Sequence, residues 1–255
     1  MSGRYDLTDF EWSVIEPLLP NKPRGVPRVD DKRVLNGIFW VLRSGAPWRD
    51  LPERYGPYTT CYNRFIRWRK AGVWDRIMDA VSEAYDGDIQ MIDSSVVRVH
   101  QCRQRKKNDR VHCMGRSRGG LTTKVHALTD SRGLPIKLVL TPGQTHDAKG
   151  AAMLLTGLPD GCVLLGDKAY DADWIRERIE AQGAAANIPD KVNRKHRHCF
   201  SKTLYKERNR IERFFNRIKH FRRVATRFEK HAANYLAMIK LASIRIWLRV
   251  NESMT

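Results

Sequence analysis

The sequence predicts an α/β protein, with an all-helical domain over residues 1–85 and a mixed-sheet domain over residues 86–255. Up to residue 85, apolar residues recur every three or four positions, which is the spacing of a helix with one buried face. After residue 86 the pattern changes to alternating or continuously apolar runs separated by turns, which is typical of β-strands, with helical segments between them. This change of period predicts both the fold class and the domain boundary.

The first domain is predicted to be of helix-turn-helix type. The segment TTCYNRFIRWRKAGV (residues 59–73) has an apolar stripe formed by Cys61, Phe65 and Trp68. Polar and basic residues occupy its other side, and the candidates for DNA contact there are Asn63, Arg64 and Arg67. A short helix, a turn and a basic helix suit binding in the major groove of DNA. The alternative is a small helical bundle whose basic face is only solvated.

The charge of the chain favours a polyanionic partner. Its 255 residues include 47 Lys plus Arg against 28 Asp plus Glu, a formal net charge of +19. A surplus of this size usually serves an anionic partner, with nucleic acid ahead of a membrane surface. No apolar run is long enough to span a bilayer, the N-terminus lacks the order of a signal peptide, and five cysteines at irregular spacing do not suggest a disulfide framework. We expect a soluble, cytoplasmic protein associated with nucleic acid.

The second domain is predicted to be a mixed five-stranded sheet flanked by helices. Its first three strands are DIQMIDSSVVRVH, LTTKVHALTD and LPIKLVLTPG, the last two joined by the hairpin turn SRG. A short helix, the buried strand in CVLLGDKAYD, a helix, the short strand AAANIP and a helix over residues 205–223 follow. Residues 101–120 and 190–204 are predicted to be basic loops, and a strongly apolar helix closes the chain.

Two acidic residues are predicted at strand ends, because Asp93 follows QMI and Asp167 follows VLLG. The carboxyl ends of neighbouring strands in an open sheet are where side chains converge on a ligand. Mg²⁺ prefers carboxylate oxygen, and two ions about 3.5–4 Å apart assist phosphoryl transfer. The alternatives are an Asx turn at Asp93 and a helix entry in DKAYD, with Asp171 or Asp173 as its cap. A third carboxylate is needed to distinguish a metal site from these.

The third carboxylate is predicted on the helix over residues 205–223. At about 100° per residue, Tyr205, Arg208, Glu212 and Lys219 fall on one narrow stripe of that helix. The arc beside the stripe is apolar and comprises Ile211, Phe214, Phe215, Ile218 and Phe221. The helix would therefore bury one face and present a carboxylate among cations along its edge.

The charge count around Glu212 indicates an external partner. Arg208, four residues before Glu212, fits a simple helical ion pair that contributes about 0.2–0.5 kcal/mol. Lys219 does not fit it, because it lies seven residues away. Between residues 191 and 230 there are 15 Lys plus Arg and only three acids. An imbalance of this size indicates that a polyanion such as DNA is brought to Glu212.

The spacing of these residues resembles a known signature. Tyr205, Arg208, Glu212 and Lys219 follow, without gaps, the pattern Y-x2-R-x3-E-x6-K of bacterial insertion-sequence DDE transposases of the YREK group. The segments IDSSVVRVH and GDKAYDAD resemble the first and second aspartate segments of that group. The N-terminal segment from LTDFEWSVIEPLLP to TTCYNRFIRW is similar to the helical domain that precedes its core. The resemblance extends over nearly the whole chain.

The resemblance implies an RNase H-like core with a catalytic triad of Asp93, Asp167 and Glu212. The triad would bind two Mg²⁺ ions, for which Mn²⁺ can substitute. Water would attack the phosphodiester at the end of the transposon, and the freed 3′-hydroxyl would then attack target DNA. The Tyr, Arg and Lys of the signature would contact DNA phosphates near the cut.

The resemblance also implies partners. They are double-stranded DNA, both the terminal inverted repeats and the target, held in a synaptic complex of a homodimer within the bacterial nucleoid. The alternatives are a DNA-binding regulator without catalysis and a structure-specific nuclease on the same fold, since a fold does not determine a function.

Other cations are predicted to contact DNA away from the cut. On the helix over residues 205–223 they are Arg213, Arg217, Arg222 and Arg223. In the first basic loop they are Arg103, Arg105, Lys106, Lys107, Arg116 and Arg118. Separately, His146 and Asp147 in GQTHD follow a predicted strand. They either assist the carboxylate site or cap a turn.

Two groups of His and Cys in the basic loops are weaker candidates for zinc sites. They are His100, Cys102, His112 and Cys113 in the first loop and His196, His198 and Cys199 in the second. Neither group has the tight paired C-x2-C spacing of a structural zinc site. The surrounding positive charge also disfavours a cation, so contact with DNA is the preferred interpretation of both loops.

Overall fold

A computed structural model describes residues 3, 5–20, 30–83, 85, 87–101, 112–117 and 120–254 of the chain. The chain divides into two compact units, Met1–Glu83 with Ile218–Thr255, and Ala84–Arg217. This division differs from the expected one, because the C-terminal segment belongs with the N-terminal helices and not with the sheet. In the part of the chain that the structure describes, no helix is long and apolar enough to cross a membrane.

As predicted, the described elements up to Ser82 are all helices, and strands alternate with further helices after that residue. The α-helices are α1 (Asp9–Ile15), α2 (Asp31–Ser44), α3 (Tyr58–Lys70), α4 (Val73–Ser82), α5 (Asp147–Leu154), α6 (Asp173–Glu180), α7 (Lys202–Lys206), α8 (Asn209–Lys219), α9 (Arg222–Ala225) and α10 (Ala232–Glu252). Short 3-10 helices cover Glu16–Leu18, Trp48–Asp50, Glu53–Tyr55 and Lys168–Tyr170. The strands are β1 (Ile89–Val99), β2 (Gly115–Ser117), β3 (Gly120–Thr129), β4 (Pro135–Pro142), β5 (Val163–Leu165), β6 (Ala185–Asn187) and β7 (Thr226–Arg227).

The first unit is a helical bundle that includes α10. α1 begins with a capping box, in which Thr8 Oγ accepts a hydrogen bond from the Glu11 amide (3.0 Å) and Glu11 Oε2 accepts one from the Thr8 amide (2.9 Å). Glu11 is buried and pairs with Arg245 of α10 (2.6 Å). α10 is buried along most of its length, with Trp247 in the core. A helix that is apolar nearly all round must be surrounded, which explains why α10 packs with the bundle.

The second unit is built on a mixed sheet with the strand order β4-β3-β1-β5-β6. β1 is antiparallel to β3 and parallel to β5, which is in turn parallel to β6. β4 and the short β2 pair with successive parts of the same edge of β3. The predicted fold class is therefore confirmed, with β2 as an addition inside the segment expected to be a basic loop.

β1 continues well beyond Asp93, so the prediction that Asp93 lies at a strand end was wrong. β3 pairs with β1 from Met91 to Arg98, which keeps the backbone extended past the aspartate. The parallel neighbour β5 pairs only with Ile89–Met91. Asp93 therefore lies inside one strand but just beyond the end of its parallel partner.

The helices α5 and α6 cover one face of this sheet. Ile92, Leu128 and Leu164, from three adjacent strands, share a buried cluster with Leu154 of α5 and Ile179 of α6. Successive side chains of a strand point to opposite faces. The side chain next to Ile92, which is that of Asp93, therefore faces away from α5 and α6.

The predicted helix over residues 205–223 is interrupted, and α7, α8 and α9 take its place. Between α7 and α8 the amides of Arg208, Arg210 and Ile211 each donate to the carbonyl three residues earlier (3.1, 2.9 and 3.1 Å). These tight turns replace the α-helical bonds, so a rotation of 100° per residue does not hold across them. Tyr205 lies on α7 and Arg208 in the turn, and the prediction of one continuous stripe was wrong.

Candidate active site

Asp93 and Asp167 lie at the same level of two parallel strands. β1 and β5 pair up to Met91 and Leu165, and each aspartate is two residues further along the chain. Because side chains alternate along extended chain, each aspartate shares the face of that last paired residue. Asp167 also caps the next 3-10 helix, since its Oδ1 accepts a hydrogen bond from the Ala169 amide (2.8 Å). The two strands therefore present two carboxylates on one face of the sheet.

Glu212 reaches the same place from α8. The helix buries one side, formed by Ile211, Phe214, Phe215 and Ile218, while 55% of the Glu212 side chain is exposed. Arg208 connects Glu212 to the sheet, because its Nη1 donates to Glu212 Oε1 (3.0 Å) and to Asp93 Oδ2 (3.2 Å). One guanidinium nitrogen thus lies between a carboxylate of β1 and a carboxylate of α8.

The turn between β3 and β4 holds the start of α8. Arg210 Nη1 donates a hydrogen bond to the Ser131 carbonyl (2.6 Å). Gly133 has a φ of 78°, and a Cβ there would lie 2.6 Å from the carbonyl oxygen of Arg210. Only glycine accommodates both the left-handed backbone and this close approach. The hairpin turn SRG therefore positions the helix that carries Glu212.

The pKa of Asp93 rises from 3.8 to about 6, and the causes of the shift identify what surrounds it. Burial is the largest cause, and the negative charges of Asp167 and Glu212 add to it. Arg208 opposes the rise, as does the Ser94 amide, which donates to Asp93 Oδ1 (2.7 Å). These three carboxylates therefore interact electrostatically, although among the described residues their ligand atoms do not all lie within 4.8 Å of one another.

The donor set of this site fits a divalent metal ion. Carboxylate oxygens are the ligands that Mg²⁺ and Mn²⁺ prefer. Asp93, Asp167 and Glu212 supply three carboxylates that interact electrostatically, and Arg208 pairs with two of them. A divalent cation would offset the excess charge that raises the pKa of Asp93. These three residues could hold such an ion, and the Arg208 guanidinium occupies part of the space between two of them.

A second acidic cluster, after β5, does not fit a metal ion. Asp171, Asp190 and His198 offer ligand atoms within 4.8 Å of one another. Two arginines already neutralise the acids: Arg176 Nη2 lies 2.9 Å from Asp171 and 3.2 Å from Asp190, and Arg194 Nε lies 2.8 Å from Asp171. Burial raises the pKa of Asp171, but hydrogen bonds from Arg194 and its neighbours hold that pKa well below its usual range. The cluster ties the second basic loop to the chain that follows β5.

The candidate zinc sites gain no support. Among the residues that the structure describes, neither group of His and Cys brings three ligand atoms together. His198 Nδ1 instead lies 2.8 Å from Asp190 Oδ1. Cys102 lies outside the described residues. The basic loops therefore keep contact with DNA as their preferred interpretation.

Most of the predicted DNA-contacting residues that the structure describes are available at the surface. The exposed ones are Asn63, Arg67, Arg116, Arg213, Arg217 and Arg222. Tyr205 and Lys219 are half-buried. The predictions for Arg103, Arg105, Lys106, Lys107 and Arg118 fall outside the described residues.

Arg64 and Arg223 were also predicted to contact DNA, but both side chains are buried in the structure. Arg64 pairs with Asp31 of α2, and its guanidinium lies 5.2 Å from the ring centroid of Trp68. Arg223 Nε pairs with Glu229 (2.8 Å). In the structure both guanidinium groups are taken up by partners inside the protein and not presented to a phosphate.

His146 and Asp147 have separate roles. His146 Nδ1 accepts a hydrogen bond from the Ala148 amide (3.3 Å) and so caps α5, as the turn-capping interpretation requires. Asp147 Oδ1 accepts hydrogen bonds from Ser94 Oγ (2.6 Å) and Lys124 Nζ (3.0 Å). Sequence reasoning missed Ser94 and Lys124. The only signal for them is that a polar residue on a covered strand face needs a partner.

Two family models match the chain. The transposase DDE domain matches residues 84–247. The family DUF4096, assigned to transposases of the IS4/5 family, matches residues 7–78. Together they cover most of the helical N-terminal segment and the whole mixed sheet of the second unit.

Relatives and one solved structure agree with these matches. A Brucella ovis protein assigned as the transposase of insertion sequence element IS6501 is 41% identical over 130 residues, 51% of this chain and 100% of the relative. The 16.2 kDa protein of insertion element IS402 from Burkholderia cepacia is 38% identical over 106 residues, 36% of this chain and 72% of the relative. The piggyBac transposase, in a cryo-EM synaptic complex with hairpin DNA, has a TM-score of 0.53 at 12% identity. That match covers 96% of this chain and 72% of the other, and it shows a shared fold.

Proposed function

This chain belongs to the family of DDE-domain transposases, and we propose that it cuts DNA at the terminal inverted repeats of its own insertion sequence and joins the ends to target DNA. One observation carries the proposal. Arg208 donates hydrogen bonds to Asp93 of β1 and Glu212 of α8, and Asp167, in the chain after β5, lies on the same face of the sheet as Asp93. We infer that Asp93, Asp167 and Glu212 are the catalytic triad.

The proposed reaction has two phosphoryl-transfer steps. In the first, a water oxygen attacks phosphorus at the transposon end, the bond to the 3′ oxygen breaks, and a 3′-hydroxyl and a 5′-phosphate remain. In the second, that hydroxyl attacks a phosphodiester of target DNA and releases a 3′-hydroxyl of the target strand. One phosphodiester replaces another, so the joining step needs no nucleotide cofactor.

Bound divalent ions, which we expect to be two Mg²⁺ with Mn²⁺ as a substitute, would activate the attacking oxygen and stabilise the leaving one. Asp93, Asp167 and Glu212 would hold them. The pairing of β1 with β5 and the buried side of α8 position the backbone of these residues before DNA binds, and such preorganisation lowers the barrier. Above a pH of about 6 Asp93 is ionised even without metal.

We expect Tyr205, Arg208 and Lys219 to contact phosphates near the cut. The Arg208 guanidinium lies 5.8 Å from the ring centroid of Tyr205, so these two side chains are adjacent although they lie on different elements. Without metal, the carboxylates of Asp93 and Glu212 hold Arg208. Bound metal ions would neutralise these carboxylates. The guanidinium would then be free to bind a phosphate through paired hydrogen bonds.

α3 is our candidate for contacts with bases of the terminal repeat. Asn63 and Arg67 lie one turn apart on its exposed side, together with Tyr62 and Lys70. Its opposite side is buried and includes Cys61, Phe65 and Trp68. Asn and Arg form paired hydrogen bonds with adenine and guanine, respectively, in the major groove. This helix would therefore select the repeat, while the second unit carries out the chemistry.

We expect the active form to be a homodimer that holds two transposon ends. Both ends must be cut and joined, and each chain supplies one carboxylate site. The piggyBac transposase, whose fold is similar, was solved as a synaptic complex. A net charge of +19 suits a chain that must neutralise several DNA segments at once.

The test uses Glu212→Gln with labelled DNA that carries the terminal repeats of the element, in Mg²⁺. We expect cleavage and joining to fall by at least about 10²-fold, because the change removes one charged ligand. DNA affinity should stay within about twofold, since Glu212 repels phosphate instead of binding it. Glu177→Gln, which removes the same charge from an exposed position of α6, should leave both properties unchanged.

Three results would contradict the proposal. Cleavage by Glu212→Gln at the wild-type rate would exclude Glu212 from the triad. Wild-type protein that cuts the repeats without ever joining the 3′ end to a second DNA would be a nuclease. Wild-type protein that binds the repeats without cutting them would be a regulator.

A further inference from the structure

Ser94 connects Asp93 to a polar cluster on the other face of the sheet. Its amide donates a hydrogen bond to Asp93 Oδ1 (2.7 Å), and its Oγ donates one to Asp147 Oδ1 (2.6 Å). Because successive side chains alternate, Asp93 faces Arg208 and Ser94 faces α5. One residue of β1 therefore links the proposed metal site to a fourth carboxylate that is not part of it.

Groups from two strands fix Asp147, which is the first residue of α5. Besides Ser94 of β1, Lys124 of β3 donates to Asp147 Oδ1 (3.0 Å), and 12% of the lysine side chain is exposed. His126 of β3 is buried nearby, and burial lowers its pKa to about 4, so its ring is neutral. A Cβ at Gly150 would lie 2.2 Å from His126 Nδ1, so this glycine lets α5 approach the sheet closely. The cluster is therefore held by the packing of α5 on β1 and β3.

Tyr170 extends the cluster toward Asp167. It is only 1% exposed and belongs to the 3-10 helix that Asp167 caps. Burial first, and then the charges of Asp93, Asp147 and Asp167, raise the pKa of its hydroxyl well above the usual range. The hydroxyl therefore lies within electrostatic reach of all three carboxylates, while its ring packs in the core beside α5 and α6.

We propose that Asp147 is a positioning residue for the metal site, acting on Asp93 through Ser94. Asp147 anchors the Ser94 side chain, which keeps the Ser94 amide directed at Asp93 Oδ1. That bond fixes one oxygen of Asp93 and leaves Oδ2, which faces Arg208, for an ion. The inference rests on the proposed function, because it takes Asp93 to be a metal ligand. Removing such a supporting partner typically changes metal affinity about 10–100-fold.

A purely structural role is the competing explanation. Asp147 and Lys124 form a partly buried ion pair, and the loss of one member destabilises a fold whatever the chemistry nearby. Destabilisation lowers the melting temperature of the metal-free protein, but it leaves the affinity of the folded protein for metal unchanged. Metal binding measured without DNA therefore separates the two roles.

The test is Mn²⁺ binding by the full chain without DNA, measured by isothermal titration calorimetry together with the melting temperature. Asp147→Ala and Ser94→Ala should each raise the Kd for Mn²⁺ about tenfold or more. The double variant should raise it no further, because both changes break the same chain of hydrogen bonds. Asp147→Asn keeps an oxygen that can accept from Ser94 and should restore most of the affinity. Met153→Ala, at an exposed position of α5, is the control and should not change it.

Asp93→Asn in the same assay identifies which proposal fails. If it leaves Mn²⁺ affinity unchanged, the proposed metal site is wrong and the role of Asp147 with it. If it weakens binding while Asp147→Ala and Ser94→Ala do not, the metal site stands and the positioning role is wrong. Because Ser94→Ala removes only one hydroxyl, it keeps the test decisive even where Asp147→Ala does not fold.

Discussion

The environment of Asp93 disfavours its ionised form, which lowers the stability of the metal-free fold. Such an environment is typical of a catalytic site. Asp93 is largely buried, and Asp167 and Glu212 add negative charge around it, so its pKa is about 6 instead of 3.8. A difference of about 2 pH units corresponds to about 3 kcal/mol between its two protonation states. Carboxylates with strongly shifted pKa values are concentrated at functional sites, where a ligand restores the balance of charge. The metal-free protein therefore holds Asp93 at an energetic disadvantage that a divalent cation would remove.

We predict that Asp93→Asn stabilises the metal-free protein at neutral pH. The pKa of Asp93 in the folded state, about 6, lies above the value near 3.8 expected when unfolded, so wild-type protein loses stability as pH rises from about 4 to about 6. Asparagine does not titrate. The variant should match wild type at pH 4 and exceed it by about 1–3 kcal/mol above pH 6.

Urea unfolding of both proteins between pH 4 and pH 7.5, with EDTA present, measures this difference. Adding Mg²⁺ to each protein at pH 7.5 provides the complementary control, since wild type should gain stability from the metal and the variant should gain less. A variant that is less stable than wild type at pH 7.5 in EDTA would mean that the Asp93 carboxylate is not disfavoured in the fold.

At the scale of single elements, α3 places two arginines that look alike in the sequence in different environments. Arg64 is buried beside Asp31, and Arg67, three residues later, is exposed. We predict that Arg64→Ala destabilises the protein by about 3–5 kcal/mol, because it leaves Asp31 without its buried partner. Thermal or urea unfolding measures this loss.

Arg67→Ala is the matched change on the same helix. It should leave stability nearly unchanged and weaken DNA binding. Its stability should stay within about 0.5 kcal/mol of wild type, because it alters an exposed side chain. Its affinity for the terminal repeat should fall, and a contact with phosphate would reduce the salt dependence of binding by about one unit of slope. Unchanged DNA affinity across a range of salt concentrations would remove Arg67 from the proposed interface.

Most helices and strands could be predicted from the sequence, but the turns that connect them could not all be predicted. The hairpin turn SRG, the alternation in β3 and β4 and the apolar side of α8 are local patterns, and each was predicted correctly. The break between α7 and α8 was not predicted, because every residue there is compatible with a helix. Arg208 in that turn contacts Asp93, which is 115 residues earlier in the chain. The spacing of neighbouring residues cannot predict a contact over that distance.

The same limit applies to individual side chains of the site. Asp93, Asp167 and Glu212 could be chosen as candidates from the sequence, because each adjoins an apolar strand or helix pattern and the resemblance implies that they form the triad. The burial of Arg64 could not be predicted, since its acidic partner lies on another helix. The hydrogen bonds of Ser94 could not be predicted either, since the bond to Asp147 depends on how α5 packs against β1.

At the scale of the whole molecule, a chain with a net charge of +19 keeps Asp93 within electrostatic reach of two further carboxylates, Asp167 and Glu212. Many of the surrounding cations that the structure describes are exposed, whereas Arg208 alone contacts two of those carboxylates. This distribution is expected of an enzyme that attracts DNA over a broad surface and cuts it at one point. The proposed function therefore depends on what Asp93, Asp167 and Glu212 bind.

Anomalous diffraction from crystals of the full chain soaked in Mn²⁺ tests this most directly. We predict an anomalous peak within coordination distance of carboxylate oxygens from Asp93, Asp167 and Glu212. We also predict that the Arg208 guanidinium no longer lies between Asp93 and Glu212 when the ion is present. A peak at Asp171 and Asp190 with none at the three acids, or Arg208 unmoved at saturating Mn²⁺, would contradict these predictions.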